Sequence, residues 1–223
     1  MKTLQQDVDE ATEAARDVRA KTRRKQLLAA AARLMEDRGS HEVSMQSVAD
    51  AAGVSVGLIY RYFGNKQDLV QAVIVGVLEE FSNRVGAAVT EVDDPVRQIA
   101  AAFKGYCEVI DENRDGTILA YRDTKTLDAA GRNIVKDLEV STGKLLSKAV
   151  REAAEAGLIR PVDYRIFAFQ LLMTAHSWAL KHWYFSKHFT HEEFIAHHIS
   201  LALSGVLLPE HRSNYSDLLG ELA

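Results

Sequence analysis

Residues 44–66, SMQSVADAAGVSVGLIYRYFGNK, constrain the fold of this chain more than any other stretch. Ser44 can cap a short helix whose apolar residues Val48, Ala49 and Ala52 recur at helical spacing. Gly53 ends that helix, because glycine enters the positive-φ region at no steric cost. Val54 then fits as a small apolar plug, and Ser55 can cap a second helix over about Val56 to Phe63. Two short helices joined by so tight a turn let the second one enter a DNA major groove. On that helix Leu58, Ile59 and Tyr62 or Phe63 can face inward, while Val56, Gly57, Tyr60 and Arg61 can face outward. A glycine costs about 1 kcal/mol in a helix interior, so an outward Gly57 suggests a surface such as a DNA backbone that comes very close. A small helical hairpin with no partner is the plainer reading of the same residues.

Three features weigh toward DNA. Gly64-Asn65-Lys66 ends the second helix and opens a third, with Asn65 as cap and Asp68 three residues on. Lys66 then sits at a helix N-terminus, where its charge and the backbone N–H groups can hold one phosphate. Upstream, Arg16, Arg19, Lys21, Arg23, Arg24 and Lys25 form a basic run into the first helix. The net charge of −4 hides a division: +5 over residues 16–66, −3 over residues 1–15 and −6 over residues 67–223. Positive charge is therefore concentrated around the groove-reading helix.

The string VADAAGVSVGLIYRYFGNKQDLV resembles the signature of the tetracycline-repressor (TetR) family of bacterial transcription regulators. The matching pieces are the Ala-Gly-Val-Ser turn, the Gly57–Tyr60 spacing, the Tyr62-Phe63 pair, and Lys66 before Asp68-Leu69; the match spans about residues 22–73. The resemblance implies that Ser44, Ser55, Val56, Gly57, Tyr60, Arg61, Tyr62 and Lys66 lie at or near DNA. One position departs from the pattern. Relatives often carry Lys or Arg where this chain has Val56, which could instead touch a thymine methyl group. Arg61 becomes the candidate for a base or phosphate contact, and double-stranded operator DNA the expected partner.

Composition favours an all-α fold, with only 3 Pro and 13 Gly in 223 residues. The expected organisation is an N-terminal arm (1–19), a three-helix helix-turn-helix domain (20–66), a larger helical ligand-binding and dimerisation domain (67–212) and a tail (213–223). The single cysteine, Cys107, rules out an intramolecular disulfide framework and fits a reducing, cytoplasmic setting. No apolar run reaches the ~18–20 residues of a membrane span, and the first residues are too polar for a secretion signal. The arm DVDEATEAARDVRAK reads two ways: as an upstream extension of the first helix or disordered chain, or as a flexible segment whose Arg16 and Arg19 reach the minor groove.

Past Asp68 the spacing predicts helices over about 65–88, 95–112, 117–124 and 128–156, then 161–185, and a last one from the capping box Thr190-His191-Glu192-Glu193 to about Leu208. Phe167, Leu171, Thr174, Trp178 and Lys181–Trp183 on one of the last two helices, with Phe194, Ile199, Leu203 and Val206-Leu207 on the other, suit a four-helix interface between two copies. They suit the core of one subunit equally well. A homodimer is expected in either case, since two-fold symmetry reads palindromic operators.

Candidate lining residues for an effector pocket are Phe103, Tyr106, Cys107, Ile110, Leu119, Tyr121, Arg122, Leu138, Leu145, Phe169, Met173, His176 and Trp178. The polar ones stand out, because a buried polar group needs a partner; for Arg122 an internal carboxylate is the commoner one. Tyr121-Arg122-Asp123, the helix start at Asp163 and Lys181-His182-Trp183-Tyr184 are similar to TetR regulators of fatty-acid or sterol catabolism. That likeness implies a small apolar effector, an acyl-CoA thioester, with Arg97, Lys104, Arg114 and Lys181 as candidate phosphate partners. It also implies a repressor whose two reading heads change spacing when the pocket fills.

Six of the eight histidines fall between His176 and His198. His188 and His191 could sit one turn apart, but they straddle a helix cap with no cysteine nearby, so no metal site is expected. No cofactor is expected either. There is no nucleotide-binding glycine loop, no G-x-S-x-G elbow and no sequence partner for Cys107, so no catalytic set assembles. The competing class is a helical protein-interaction module whose DNA binding has degenerated.

Overall fold

The computed structural model describes residues 2–220, and the backbone alone for residues 2–11, 13 and 14. It is built of helices, with one isolated β-bridge between Ile159 and Leu207. Helix α1, Lys2–Arg38, is continuous, so along the described backbone the arm extends the first helix. Its last turns bury Leu27, Ala30, Ala31 and Met35.

Helix α2 (Met45–Ala52) starts at a reciprocal capping box: Ser44 accepts from the Ser47 N–H at 3.0 Å while the Ser47 hydroxyl accepts from the Ser44 N–H at 2.9 Å. Gly53 ends it at φ 64°, ψ 38°, the left-handed conformation its sequence position required. Helix α3 (Val56–Tyr62) follows. Asn65 and Asp68 form a second capping box at the head of α4 (Lys66–Thr90).

In the body, α5 (Pro95–Glu112) is capped by Asp94 and lies within the core, burying Val96, Ile99, Phe103, Tyr106, Cys107, Val109 and Ile110. It packs against α4, α7 (Ala129–Glu155), α8 (Tyr164–Leu180) and α10 (His191–Ser204). Between them α6 (Arg114–Asp123) bridges α4 and α1. Gly116 permits its close approach to α4: a Cβ there would stand 2.7 Å from Val77 Cγ2.

Several boundaries differ from expectation for local reasons. Asn113 joins α5 directly to α6, which therefore starts at Arg114 rather than near 117. The helix expected to run to 185 breaks at Lys181 (φ −125°, ψ 28°), and a single turn, α9 (His182–Phe185), carries Phe185 onto Trp178 and Phe194. Helix α10 stops at Ser204, where the chain turns so that Leu207 pairs with Ile159. The tail then folds back through a 3₁₀ segment (Pro209–Tyr215) and α11 (Ser216–Leu219), held by Tyr215 on Asp94 (2.8 Å) and Arg97 on Asp217 (2.7 Å).

The residues expected at a dimer interface are largely the subunit's own core. Leu171, Trp178, Phe194, Ile199, Leu203, Val206 and Leu207 are all buried within one copy. Away from the face that carries Phe169 and Met173, this helix pair exposes Ile166 and Leu201, 70% and 72% exposed, beside a groove of about 450 Å³ shared with Gln170, Thr174 and His198. No described helix is long and apolar enough to cross a membrane.

Candidate nucleic-acid interface and effector cavity

Helix α3 presents Ser55, Gly57, Tyr60 and Arg61 to solvent, with Tyr60 53% exposed. Ile59 and Phe63 anchor it from below. Two expectations about its faces need correction. Val56 is half-buried and packs against the core, so it is not a free outward side chain, whereas Leu58 is half-buried but off the core. Ser55 takes the N-cap backbone position yet its hydroxyl makes no cap bond. Around Gly57 nothing lies within 4 Å of where a Cβ would be, so the free protein does not demand glycine there.

At the flank of α3, Tyr62 is half-buried and tilted against Phe63, their rings 6.1 Å apart. Lys66 is already engaged within the fold. Its ammonium donates to the His41 carbonyl at 2.9 Å, tying the α1–α2 loop to the start of α4. Ser44, committed to its capping box, lies at the start of α2.

The body contains a cavity of about 820 Å³, within the range of small-molecule sites. Its long walls are two antiparallel stripes at i, i+4 spacing. Helix α7 contributes Glu139, Val140, Gly143, Lys144, Ser147, Lys148 and Arg151; α8 contributes Tyr164, Arg165, Ala168, Phe169, Leu172, Met173 and His176. Twelve residues of helix rise make this trough roughly 18 Å long. Small side chains at 143, 147 and 168 keep it open. Phe81 of α4 and Tyr106 of α5 form the floor, and Tyr121 with Thr117 of α6 closes one end.

The two ends differ in chemistry. At the α6 end, the Tyr121 hydroxyl lies 2.9 Å from His176 Nδ1, and burial pushes the His176 imidazole down to about 4, leaving it neutral near pH 7. Glu139 lies at this end, its carboxyl held above the usual range by burial. The opposite end gathers Lys148, Arg151 and Arg165, with the Tyr164 ring 6.0 and 5.7 Å from the two guanidiniums, while Lys144 stands midway along the wall, next to Gly143, which faces Leu172. Lys148 pairs with Glu152, Arg151 with Glu155 and Arg165 with Asp163, none of which line the cavity.

Of the residues expected to line a pocket, Tyr106, Tyr121, Phe169, Met173 and His176 do so. Phe103, Cys107 and Trp178 are filled core; Ile110 and Leu119 are too. Trp178 donates to Asp111 at 2.8 Å, and burial pushes the Cys107 thiol far up, away from reactivity. Arg122 turns away from the cavity. It pairs with Asp123 (3.2 Å) and donates to the Met35 and Glu36 carbonyls at the end of α1, while Asp123 accepts from Ser40 at 2.9 Å. Sequence reading missed the whole α7 stripe, although Val140, Gly143-Lys144, Ser147-Lys148 and Arg151 recur four apart.

The cations expected for phosphates do not line the cavity: Arg97 pairs with Asp217, Lys104 with Glu108, Arg114 with Asp111 and His182, and Lys181 lies at the α8–α9 break. His188 stacks on Tyr184, and His191 donates to the Cys107 carbonyl at 3.1 Å.

Residues 27–73 match the family profile described as "Bacterial regulatory proteins, tetR family", and residues 92–206 match "Tetracyclin repressor-like, C-terminal domain". This chain is a member of the tetR family. Among relatives, the HTH-type transcriptional regulator HbdR of Aromatoleum sp. (strain CIB) is 36% identical over 173 residues, 78% of this chain and 76% of that protein. The HTH-type transcriptional repressor KstR2 of Mycobacterium tuberculosis is 23% identical over 164 residues, 73% of this chain and 82% of that one. A solved structure of AibR, in complex with isovaleryl coenzyme A and operator DNA, superposes with TM-score 0.69 at 25% identity, covering 80% of this chain and 97% of AibR. As a tetR member, the chain is a DNA-binding transcriptional regulator and not an enzyme, its α2–α3 unit the family's helix-turn-helix.

Proposed function

We propose that this tetR regulator is a dimeric repressor released from a palindromic operator when an acyl-CoA thioester enters the α7–α8 trough. The observation that carries this reading is the adjacency of Tyr121 and Arg122. One faces the cavity, while its neighbour grips the Met35 and Glu36 carbonyls of α1. A ligand that displaces α6 at Tyr121 therefore changes the seat of the reading head within one residue. Only differential affinity for the two head positions can shift their populations. Half-sites one helical turn apart, roughly 34 Å, set how small a displacement matters.

The effector class follows from the polarity of the trough. An apolar, aromatic-lined channel with Lys148, Arg151 and Arg165 at one end and Lys144 midway suits an acyl chain attached to a polyanionic nucleotide. Lys144, Lys148, Arg151 and Arg165 replace the phosphate partners expected from sequence. AibR, with its bound isovaleryl coenzyme A, supports the same class. For DNA, Ser55, Gly57, Tyr60 and Arg61 are the proposed contact surface of α3, flanked by Ser44, Val56, Tyr62 and Lys66. Ile166 and Leu201 are the proposed centre of the two-fold interface.

The test is thermal unfolding with long-chain acyl-CoA, free CoA and free fatty acid, paired with operator release. A ligand at about a hundred times its dissociation constant stabilises by roughly 2.7 kcal/mol. Stabilisation and release by the thioester alone are the expected result. Stabilisation by none of the three overturns the effector class and leaves the regulator itself untouched.

A further inference from the structure

At the α6 end of the trough the His176 ring keeps a hydrogen-bonding function that no described residue uses, as does the Glu139 carboxyl at the same end. The hydroxyls of Tyr106, Thr117, Thr124 and Thr142 all donate to backbone carbonyls. His176 differs. Its Nδ1 meets the Tyr121 hydroxyl, while Nε2 has no hydrogen-bond partner among the described residues and its ring lines the cavity. Phe81 and Tyr121 contact that ring edge-on at 6.2 and 5.5 Å, fixing its plane.

The Tyr121–His176 pair can supply either polarity. If Tyr121 donates to Nδ1, Nε2 carries the proton and can donate. If Nδ1 donates instead, the Tyr121 hydroxyl can turn to Met173 Sδ, 3.5 Å away, and Nε2 becomes an acceptor. A site of this kind suits a neutral oxygen function that gives or takes one hydrogen bond. It disfavours a distal carboxylate, because Glu139 lines the same end and Lys148, Arg151 and Arg165 lie at the other.

The geometry points to His176, positioned by Tyr121, as the specificity-determining residue for an effector whose far end carries a hydroxyl or carbonyl oxygen. This inference rests on reading the trough as an effector site. An all-hydrocarbon end would leave His176 Nε2 without a partner after water is displaced, and buried polar groups so abandoned are costly.

Titration calorimetry with matched pairs tests it: octanoyl-CoA against 8-hydroxyoctanoyl-CoA, and phenylpropionyl-CoA against its ring-hydroxylated counterpart. The hydroxylated member of each pair is expected to bind roughly five- to tenfold tighter, the span of one net hydrogen bond. His176→Phe, which fills the same space, should shrink that preference to within about twofold, in part because the unhydroxylated thioesters no longer strand Nε2 and bind somewhat tighter. Tyr121→Phe serves if that variant does not fold, with the preference falling to about threefold or less. Equal affinities within each pair for the parent protein overturn the inference and leave the thioester reading standing. Octanol against 1,8-octanediol, and propylbenzene against 4-propylphenol, separate the two ideas from the other side. Preference for the hydroxylated member without any thioester binding keeps the role of His176 and removes the CoA. No binding in either series removes both.

Discussion

The reading head and the body satisfy their polar groups over different distances. Three-residue caps occur in both, and in the head those of Ser44 with Ser47 and Asn65 with Asp68 are joined by a longer tie, Lys66 to the His41 carbonyl 25 residues away. In the body the ties cross the chain: Arg84 to Glu112 at 2.6 Å, Arg97 to Asp217 at 2.7 Å, Tyr215 to Asp94 at 2.8 Å. A unit closed by local caps can shift as a piece, because moving it breaks only the bonds at its border. A unit closed by long-range pairs changes shape only as a whole. The border is the packing of α1 on α4 and α6, and Arg122, Asp123 and Ser40 are its polar part.

Substitutions sharpen this contrast, and the largest effect belongs to the body. Phe103→Ala, at a fully buried site, should cost about 3–5 kcal/mol in urea unfolding. Phe169→Ala, 64% exposed on the cavity wall, should change stability by less than about 0.5 kcal/mol while weakening effector binding. Equal costs for the two phenylalanines would erase the distinction between core and trough.

Acid sensitivity comes next. His176 is held neutral by burial, with its value down at about 4, so between there and about 6.5 the unfolded chain binds the extra proton. Stability should therefore fall as pH drops through this window, by at most roughly 3 kcal/mol from this ring. In His176→Phe that part of the pH profile should flatten; an unchanged profile assigns the acid sensitivity to other groups, such as His182 and His198, which are also lowered.

Arg122→Ala should cost about 2 kcal/mol, since two α1 carbonyls and Asp123 lose a charged partner. Its informative readout is coupling: the effector should still stabilise the variant but no longer release operator DNA. Retained release would place the switch elsewhere on the border. In the head the effects fall on DNA binding more than on stability. Arg61→Ala should leave the melting temperature nearly unchanged yet weaken operator binding by about 1–3 kcal/mol and relax sequence preference. Lys66→Ala should weaken all duplexes alike and lower the salt slope by about 1 per subunit. It should also lose about 1 kcal/mol of stability through the freed His41 carbonyl.

The same contrast explains what could be read in advance. Caps at Ser44, Asn65, Asp94, Asp128 and Thr190, and the turn at Gly53, are local codes, and each stands where its residues indicate. The cavity is a negative shape made where five helices fail to fill space, so Phe103 and Phe169, alike in composition, have opposite fates. Arg122 was legible as a buried cation in need of a carboxylate, which is Asp123, but not as a grip on α1, because its backbone partners lie 86 and 87 residues away. The stripe on α7 had a signal in its four-residue recurrence of small and cationic side chains. Nothing in one sequence says which face of α7 looks at α8.

Successive residues of a helix point roughly 100° apart, and Tyr121 and Arg122 exploit that angle to look in two directions from one short segment. On the proposed function, replacing Tyr121 should alter what the trough accepts while leaving the grip on α1 intact. Descendants of such a regulator can thus exchange one chemical signal for another by a single codon, keeping their operator and their switch, which makes the effector the most readily diversified trait of the molecule.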